Sequence, residues 1–159
     1  MDLDDVLRVL GALERAEVRY AVFGGLAMAA HGFYRATRDL DLFVTPDEPN
    51  IERLRSALSS VFDDPDIAQI TAEDLGGVYP AVQYGPPEVD YTIDIVSRLG
   101  ETFRFEDLEL ERVQAGGVTI TVVTPETLYR MKRDTVRLRD RDDAQRLARA
   151  FGFDHEGDR

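Results

Sequence analysis

The sequence lacks cysteine and tryptophan, and lysine occurs once among its 19 basic residues. Without cysteine, the chain can form neither a disulfide framework nor a thiolate metal site. No apolar run approaches the ~20 residues that span a membrane, and the N-terminal segment MDLDDVLRVL is acidic where a secretory signal is basic. We therefore expect a cytoplasmic protein that does not contact a membrane.

Length and composition predict one globular domain over residues 1–159. An apolar fraction of 43% and a charged fraction of 31% are ordinary for a folded soluble protein and exclude disorder. The net charge of −12 argues against nonspecific coating of nucleic acid. Between residues 130 and 149, however, eight basic residues and four aspartates give a charge of +4, which leaves −16 on the rest of the chain. A polyanion would meet the protein there, although a solvated, salt-bridged helix face explains the same pattern.

The periodicity of apolar residues predicts a mixed fold. Helices are predicted at 3–16, 26–30, from 50, near 71–75, from 125 and at 140–151. Strands are predicted at 18–23, 38–44, 78–84, 90–96, 108–113 and 118–123. Asn50 and Thr124 are the predicted caps of their helices. The fold class is therefore α/β (α+β), with a twisted mixed β-sheet, flanking helices and a C-terminal helical part over about 124–151.

Two aspartates on one strand are the first candidate site residues. In Asp39-Leu40-Asp41-Leu42 both carboxylates project from the same face, roughly 6.5–7 Å apart at the backbone. Such a pair repels unless a cation lies there, and Mg²⁺ prefers oxygen ligands. A two-magnesium site for phosphoryl displacement needs a third carboxylate from a neighbouring strand, for which Asp94 is the best candidate and Asp90 the alternative. A polar, exposed strand face explains a lone aspartate pair equally well.

A glycine pair precedes these aspartates. Gly24-Gly25 follows a predicted buried strand and opens a predicted helix, where free backbone amides and the helix dipole suit a triphosphate. A tight strand-to-helix turn is the alternative explanation. His31 is predicted to lie at the end of that helix and not to be a ligand.

These residues carry a resemblance to a known superfamily. Val22-Phe23-Gly24-Gly25, followed after thirteen residues by Asp39-Leu40-Asp41-Leu42, resembles the signature of the DNA polymerase β-like nucleotidyltransferases. More narrowly, the chain is similar to abortive-infection (type IV toxin-like) nucleotidyltransferases and to small antibiotic nucleotidyltransferases. Met131-Lys132 and Arg139-Asp140 continue that similarity, which spans about residues 18–147. It implies the nucleotidyltransferase fold with a C-terminal helix pair.

The resemblance also implies roles for the acidic residues. Asp39 and Asp41 would hold two Mg²⁺ ions. Asp94 would complete the metal site and act as the base toward an acceptor hydroxyl. All three are therefore predicted to be both catalytic residues and metal ligands.

The predicted nucleotide-binding residues are Gly24, Gly25, Arg35, Arg38 and Lys132. By resemblance, the glycines would cradle the triphosphate and Lys132 would contact its phosphates. A surface lysine on an exposed helix face is the alternative for Lys132. The two arginines either neutralise phosphate charge or pair with nearby aspartates.

The predicted reaction is Mg²⁺-dependent transfer of a nucleoside monophosphate from an NTP to an acceptor hydroxyl. An RNA or tRNA end fits the basic segment, whereas a cationic small molecule fits the acidic remainder. The chain is short for an enzyme that encloses both substrates, so a homodimer or a partner protein would supply the missing wall. A component of a toxin–antitoxin pair is the biological role that the resemblance implies. The alternative from another class is a non-catalytic module of the same fold that binds NTP or only a partner.

Overall fold

A six-stranded mixed sheet lies at the centre of the protein, whose computed structural model describes residues 1–34, 36–133, 135 and 137–153. Its strands are β1 (Tyr20–Phe23), β2 (Asp39–Val44), β3 (Ala81–Tyr84), β4 (Thr92–Val96), β7 (Leu110–Ala115) and β8 (Val118–Val123). A separate pair consists of β5 (Arg98–Leu99) and β6 (Phe103–Arg104). The order across the sheet is β3-β4-β2-β1-β8-β7. The pairs β2–β4 and β1–β8 are parallel and the others are antiparallel, which confirms the predicted mixed sheet.

Helices flank this sheet. They are α1 (Leu3–Arg15), α2 (Gly24–Ala30), α3 (Glu48–Val61), α4 (Ala72–Leu75), α5 (Pro125–Arg133) and α6 (Leu138–Phe151), with 3-10 turns at Pro65–Gln69 and Phe105–Asp107. The helix α5 begins as predicted, because the Thr124 hydroxyl accepts a hydrogen bond from the Thr127 amide at 3.3 Å. It packs against α6 and forms the expected C-terminal helix pair.

The predicted cap of α3 is wrong. Asp47, three residues earlier, caps this helix by accepting the Asn50 amide at 3.2 Å. The Asn50 side chain is fully buried and bonds backbone groups instead, donating to the Thr45 carbonyl at 2.9 Å and accepting from the Arg19 amide at 2.7 Å. A buried amide satisfies these polar backbone groups where water cannot reach them. Asn50 thus joins the entry of β1 to the exit of β2.

The buried faces of the central strands form the core. Leu40, Leu42, Ile93 and Ile95 are fully buried and alternate along β2 and β4 with the aspartates. Alternation therefore directs the apolar side chains into the core and the carboxylates to the opposite face of the sheet. Within the described residues, no helix is long and apolar enough to cross a membrane.

Candidate active site

Strand pairing brings the three predicted aspartates to one face of the sheet. In the parallel register of β2 and β4, Asp41 lies opposite Asp94, and Asp39 lies opposite Thr92. Residues paired across a ladder project to the same face, so all three half-buried carboxylates share it. The alternative residue, Asp90, precedes β4, is 74% exposed and binds the N-terminal amine at 3.1 Å. Of the two candidates, Asp94 is the one that meets Asp41.

The environment of these carboxylates disfavours their ionised forms. Burial raises the pKa of Asp41 to about 7, and the charges of Asp94 and Asp39 act in the same direction. Burial also raises the pKa of Asp94, with a contribution from Asp39, against hydrogen bonds from Gln83 and Asp41. Carboxylates this close repel each other when both are ionised. A cation bound beside the pair would relieve this repulsion.

Two neighbouring side chains orient the carboxylates, and neither was predicted. The Thr92 hydroxyl donates to Asp39 Oδ1 at 2.6 Å, and the Gln83 amide donates to Asp94 Oδ1 at 3.0 Å. Thr92 shares its strand face with Asp94 by simple alternation, a signal that was available in the sequence. Gln83 carries no such signal, because its position depends on the antiparallel pairing of β3 with β4. In both cases a neutral side chain donates a hydrogen bond to one carboxylate oxygen.

Gly24 provides the space that Asp41 occupies. Its φ of +68° lies in the left-handed region, and a Cβ at this position would lie 2.1 Å from Asp41 Oδ2. Any side chain here would displace the carboxylate or the backbone. Both glycines lie inside α2, which starts two residues earlier than predicted, and Gly25 is buried. The glycine pair is thus coupled directly to the strand carboxylates.

The oxygen donors of this face fit a hard divalent cation. Within residues 1–34, 36–133, 135 and 137–153, no three Asp, Glu, His or Cys side chains are arranged to hold a metal ion by themselves. Mg²⁺ commonly uses only one or two carboxylates and completes its shell with water and phosphate oxygens. The pairing of Asp41 with Asp94 across β2 and β4, with Asp39 on the same face, is the observation that supports the fit. A magnesium site here would depend on substrate oxygens for the remaining ligands.

Lys132 lies beside the carboxylates and is buried, so its interpretation as an exposed surface lysine is wrong. Its side chain is 7% exposed, and its ammonium donates to Asp140 Oδ1 at 3.1 Å and to Asp143 Oδ2 at 3.0 Å. Its charge also lowers the pKa of Asp41, as does that of Arg137. The two cations therefore lie within electrostatic range of the site.

The remaining predicted residues occupy different settings. Arg38 is exposed, and its backbone carbonyl accepts the Thr92 amide at 3.1 Å. Arg35 lies outside the described residues. His31 ends α2 as predicted, and its ring nitrogens lie 2.8 Å from the Val123 carbonyl and 3.2 Å from Glu111 Oε1. These contacts fasten the end of α2 to the β7–β8 hairpin.

Solved structures with a similar fold are nucleotidyltransferases. The lincosamide antibiotic adenylyltransferase LnuA, in its lincomycin-bound structure, has a TM-score of 0.59 and 13% identity over 92% of this chain and 96% of that chain. ANT(2″)-Ia in complex with adenylyl-2″-tobramycin has a TM-score of 0.57 and 13% identity over 95% of this chain and 91% of that chain. A nucleotidyltransferase-like protein from Paracoccidioides brasiliensis has a TM-score of 0.54 and 17% identity over 92% of this chain and 75% of that chain. Identities of this size indicate a shared fold.

The sequence comparisons give the family. No curated protein matches the sequence significantly. Residues 8–153, however, match the family of the nucleotidyl transferase AbiEii toxin of type IV toxin–antitoxin systems. This match confirms the predicted superfamily and covers the glycine pair, the strand aspartates and the C-terminal helix pair. The chain therefore belongs to the AbiEii family of nucleotidyltransferase enzymes.

Proposed function

We propose that this enzyme transfers a nucleoside monophosphate from a magnesium-bound NTP to a terminal hydroxyl of an RNA, and that it acts as the toxin of a toxin–antitoxin pair. One observation carries the proposal: Asp41 and Asp94 face each other across β2 and β4, with Asp39 on the same face. Their mutual repulsion helps to raise the pKa of Asp41, so a divalent cation that offsets this repulsion would bind favourably here. The toxin role rests on the family alone.

The chain's own residues supply the positioning and the proton transfer. Asp39 and Asp41 would hold Mg²⁺, which would supply positive charge to neutralise the phosphate oxygens and the departing pyrophosphate. Asp94 accepts the proton of the acceptor hydroxyl as that oxygen bonds to the α-phosphorus and the bond to the β-phosphate breaks. The raised pKa of Asp94 makes it a stronger base than an ordinary aspartate. Gln83 keeps its carboxylate in one orientation.

Phosphate binding falls to the glycine pair and to nearby cations. Gly24 and Gly25 lie next to Asp41, and a backbone without side chains lets phosphates approach closely. Lys132 and Arg137 lie within electrostatic range of Asp41, so they would also act on phosphates held beside it. We assign Arg38, and Arg35 from outside the described residues, to the same role.

The acceptor follows from the distribution of charge. The segment 130–149 carries +4 on a chain of −12, and a polyanionic acceptor would be attracted to it. A small-molecule hydroxyl is the second candidate, because the structures of similar fold include ANT(2″)-Ia with an adenylylated tobramycin and LnuA with lincomycin. A cationic drug would be favoured by the −16 carried elsewhere. The two acceptors therefore depend on opposite surface charges: RNA on the basic residues of 130–149, and a polycationic drug on surface acids.

The decisive experiment measures which acceptor receives the labelled nucleoside monophosphate. The purified chain is incubated with each α-labelled NTP and Mg²⁺, in parallel with total RNA and with a panel of aminoglycosides and lincosamides. We expect label on RNA, and a loss on the order of 10²–10³-fold in rate for Asp39→Asn and Asp41→Asn, the scale seen when one charge-stabilising group is removed. Asp90→Asn is the matched control, since Asp90 is an exposed aspartate held by the N-terminus. Near-full turnover by Asp41→Asn would refute the proposal.

A second measurement separates the enzyme from a non-catalytic module. Calorimetry with Mg²⁺-NTP should detect binding that falls when EDTA removes the metal. Binding without any transfer to RNA or drug would support the module. Light scattering of the chain with and without NTP tests whether a second copy supplies the missing wall, in which case the mass would double.

A further inference from the structure

The loop that leads from α2 into β2 presents an exposed aromatic residue. Tyr34 is 89% exposed and lies five residues before Asp39. Its neighbour Phe33 is anchored, since its ring lies 6.2 Å from that of Phe151 and the Arg146 guanidinium lies 5.4 Å from its centroid. The loop is thus fastened to α6 on one side of Tyr34, while the tyrosine itself stays in solvent.

The start of α6 lies against the same loop and is basic. The Arg139 guanidinium donates to the Ala36 carbonyl at 3.0 Å, and Arg141 donates to the Thr135 carbonyl at 3.1 Å. Because these acceptors are neutral carbonyls, the bonds leave both positive charges in place. Between the exposed Arg137 and Arg139, Leu138 is 77% exposed.

This region extends to the strand carboxylates. Ala36, which Arg139 binds, is three residues before Asp39. Arg137, at the N-terminal end of α6, acts on Asp41 through its charge. We call Tyr34, Arg137, Leu138, Arg139 and Arg141 the acceptor surface. The Arg139–Ala36 bond places this surface beside the segment that leads into β2.

The chemistry of the acceptor surface selects its ligand. An exposed aromatic ring binds an unstacked base, and arginines bind the phosphates on either side of it, which is the usual combination in proteins that bind single-stranded nucleic acid. Polycationic drugs would be repelled by the three arginines. Paired bases in a duplex offer no free face to the ring.

We propose that the acceptor surface binds the unpaired terminal nucleotides of an RNA, with one base stacked on Tyr34 and the adjacent phosphates held by Arg137, Arg139 and Arg141. The proposal rests on the proposed function for the choice of RNA as the acceptor. It adds the site where that acceptor binds and the requirement for a single-stranded end.

The test measures binding, so that it does not depend on turnover. Anisotropy of a labelled single-stranded RNA of about 10 nucleotides is followed with the full chain in the absence of NTP. A stacked base contributes about 1–3 kcal/mol, so Tyr34→Ala should weaken binding roughly 5- to 150-fold, whereas Tyr34→Phe should bind as the wild type does. Tyr79→Ala is the matched control, because Tyr79 is 87% exposed and precedes β3 at Ala81, which pairs with Val96 at the far end of β4.

The arginines are tested by salt dependence. Removing an arginine that binds one phosphate of a single strand should reduce the slope of log affinity against log salt by about 0.7. Arg141→Ala should show this reduction, and Arg53→Ala, an exposed arginine of α3, should not. Equal slopes for the two variants would overturn the role of the arginines.

The outcomes distinguish this inference from the proposed function. Tyr34→Ala that binds RNA as tightly as Tyr79→Ala overturns the acceptor surface, as does equal binding of a fully paired duplex. Transfer of label to RNA that Tyr34→Ala leaves unchanged also overturns it, while the proposed function stands. Tyr34-dependent binding of RNA without transfer supports the acceptor surface and contradicts the proposed function. Circular dichroism of Tyr34→Ala checks that the exposed substitution leaves the fold intact.

Discussion

Two groups of aspartates lie near each other and differ in how their negative charge is balanced. In the lysine cluster, Asp140 and Asp143 share the ammonium of Lys132, and all three side chains are largely buried. In the strand carboxylates, Asp39, Asp41 and Asp94, burial and mutual repulsion raise the pKa values of Asp41 and Asp94. The fold provides one ammonium for the two carboxylates of the first group, and it places the three carboxylates of the second on one strand face. The ion pairs of Lys132 join α5 to α6, and the contrast supports the proposed role of the strand carboxylates as ligands of a divalent cation.

The largest effect should come from breaking the lysine cluster. Lys132→Met removes the ammonium that Asp140 and Asp143 share, so we expect a loss of about 3–5 kcal/mol in the free energy of unfolding. Urea denaturation of this variant and of Arg53→Met, an exposed control, measures it. Adding Asp140→Asn and Asp143→Asn should restore most of the loss, because buried carboxylates then no longer need a cation. A loss below about 1 kcal/mol for Lys132→Met would remove the distinction between the two groups.

Gly24→Ala tests how closely the strand carboxylates are packed. The new methyl group would meet the Asp41 carboxylate, whereas Gly32, which also has positive φ, has open space around it. Gly24→Ala should therefore destabilise the protein by about 1–3 kcal/mol more than Gly32→Ala. Transfer activity should fall with it, since Asp41 must move. The excess should disappear in an Asp41→Ala background, and an excess that persists there would mean that Asp41 is not its cause.

The strand carboxylates should also make stability depend on pH. The folded-state pKa of Asp41 is raised to about 7, above the ~3.9 of an unfolded aspartate. The folded state therefore holds this proton more tightly, and the stability it contributes below about pH 4 is lost as the pH rises through about 7. Asp41→Asn should gain stability over the wild type at pH 8 relative to pH 4 in metal-free buffer, and Asp90→Asn should not. Parallel pH profiles for Asp41→Asn and the wild type would contradict the prediction.

The smallest expected effect concerns the hydroxyl that orients Asp39. Thr92→Val keeps the shape of the side chain but removes the donor to Asp39 Oδ1. Loss of a residue that orients a metal ligand typically lowers metal affinity by about 10–100-fold, and we expect the lower end here because Asp39 retains its place in β2. Calorimetry with Mn²⁺ measures the change, and Thr92→Ser should restore the affinity. Unchanged affinity in Thr92→Val would show that the bond does not prepare the carboxylate.

Sequence patterns over a few residues correctly predicted the features that depend only on neighbouring residues. Alternation along Asp39–Val44 correctly predicted the strand and the shared face of two carboxylates, and Thr124-Pro125 correctly predicted the start of a helix. The sequence failed where a side chain bonds a distant backbone or carboxylate. Asn50 was predicted to cap α3, but its side chain bonds backbone groups beside β1 and β2. The sequence around Lys132 did not predict that this residue would be buried against Asp143 of α6. Neither interaction follows from spacing, because each joins elements whose packing is set elsewhere in the chain.

The sequence by itself determined which residues alternate, where helices begin, and that Asp39 and Asp41 share a strand face, since these follow from backbone geometry within a few residues. Only the tertiary structure decided that Asp94, more than fifty residues away, lies opposite Asp41, and that Gly24 leaves room for the Asp41 carboxylate. The raised pKa of Asp41 also depends on the tertiary structure, because the carboxylate is buried beside other charges only once the strands have paired.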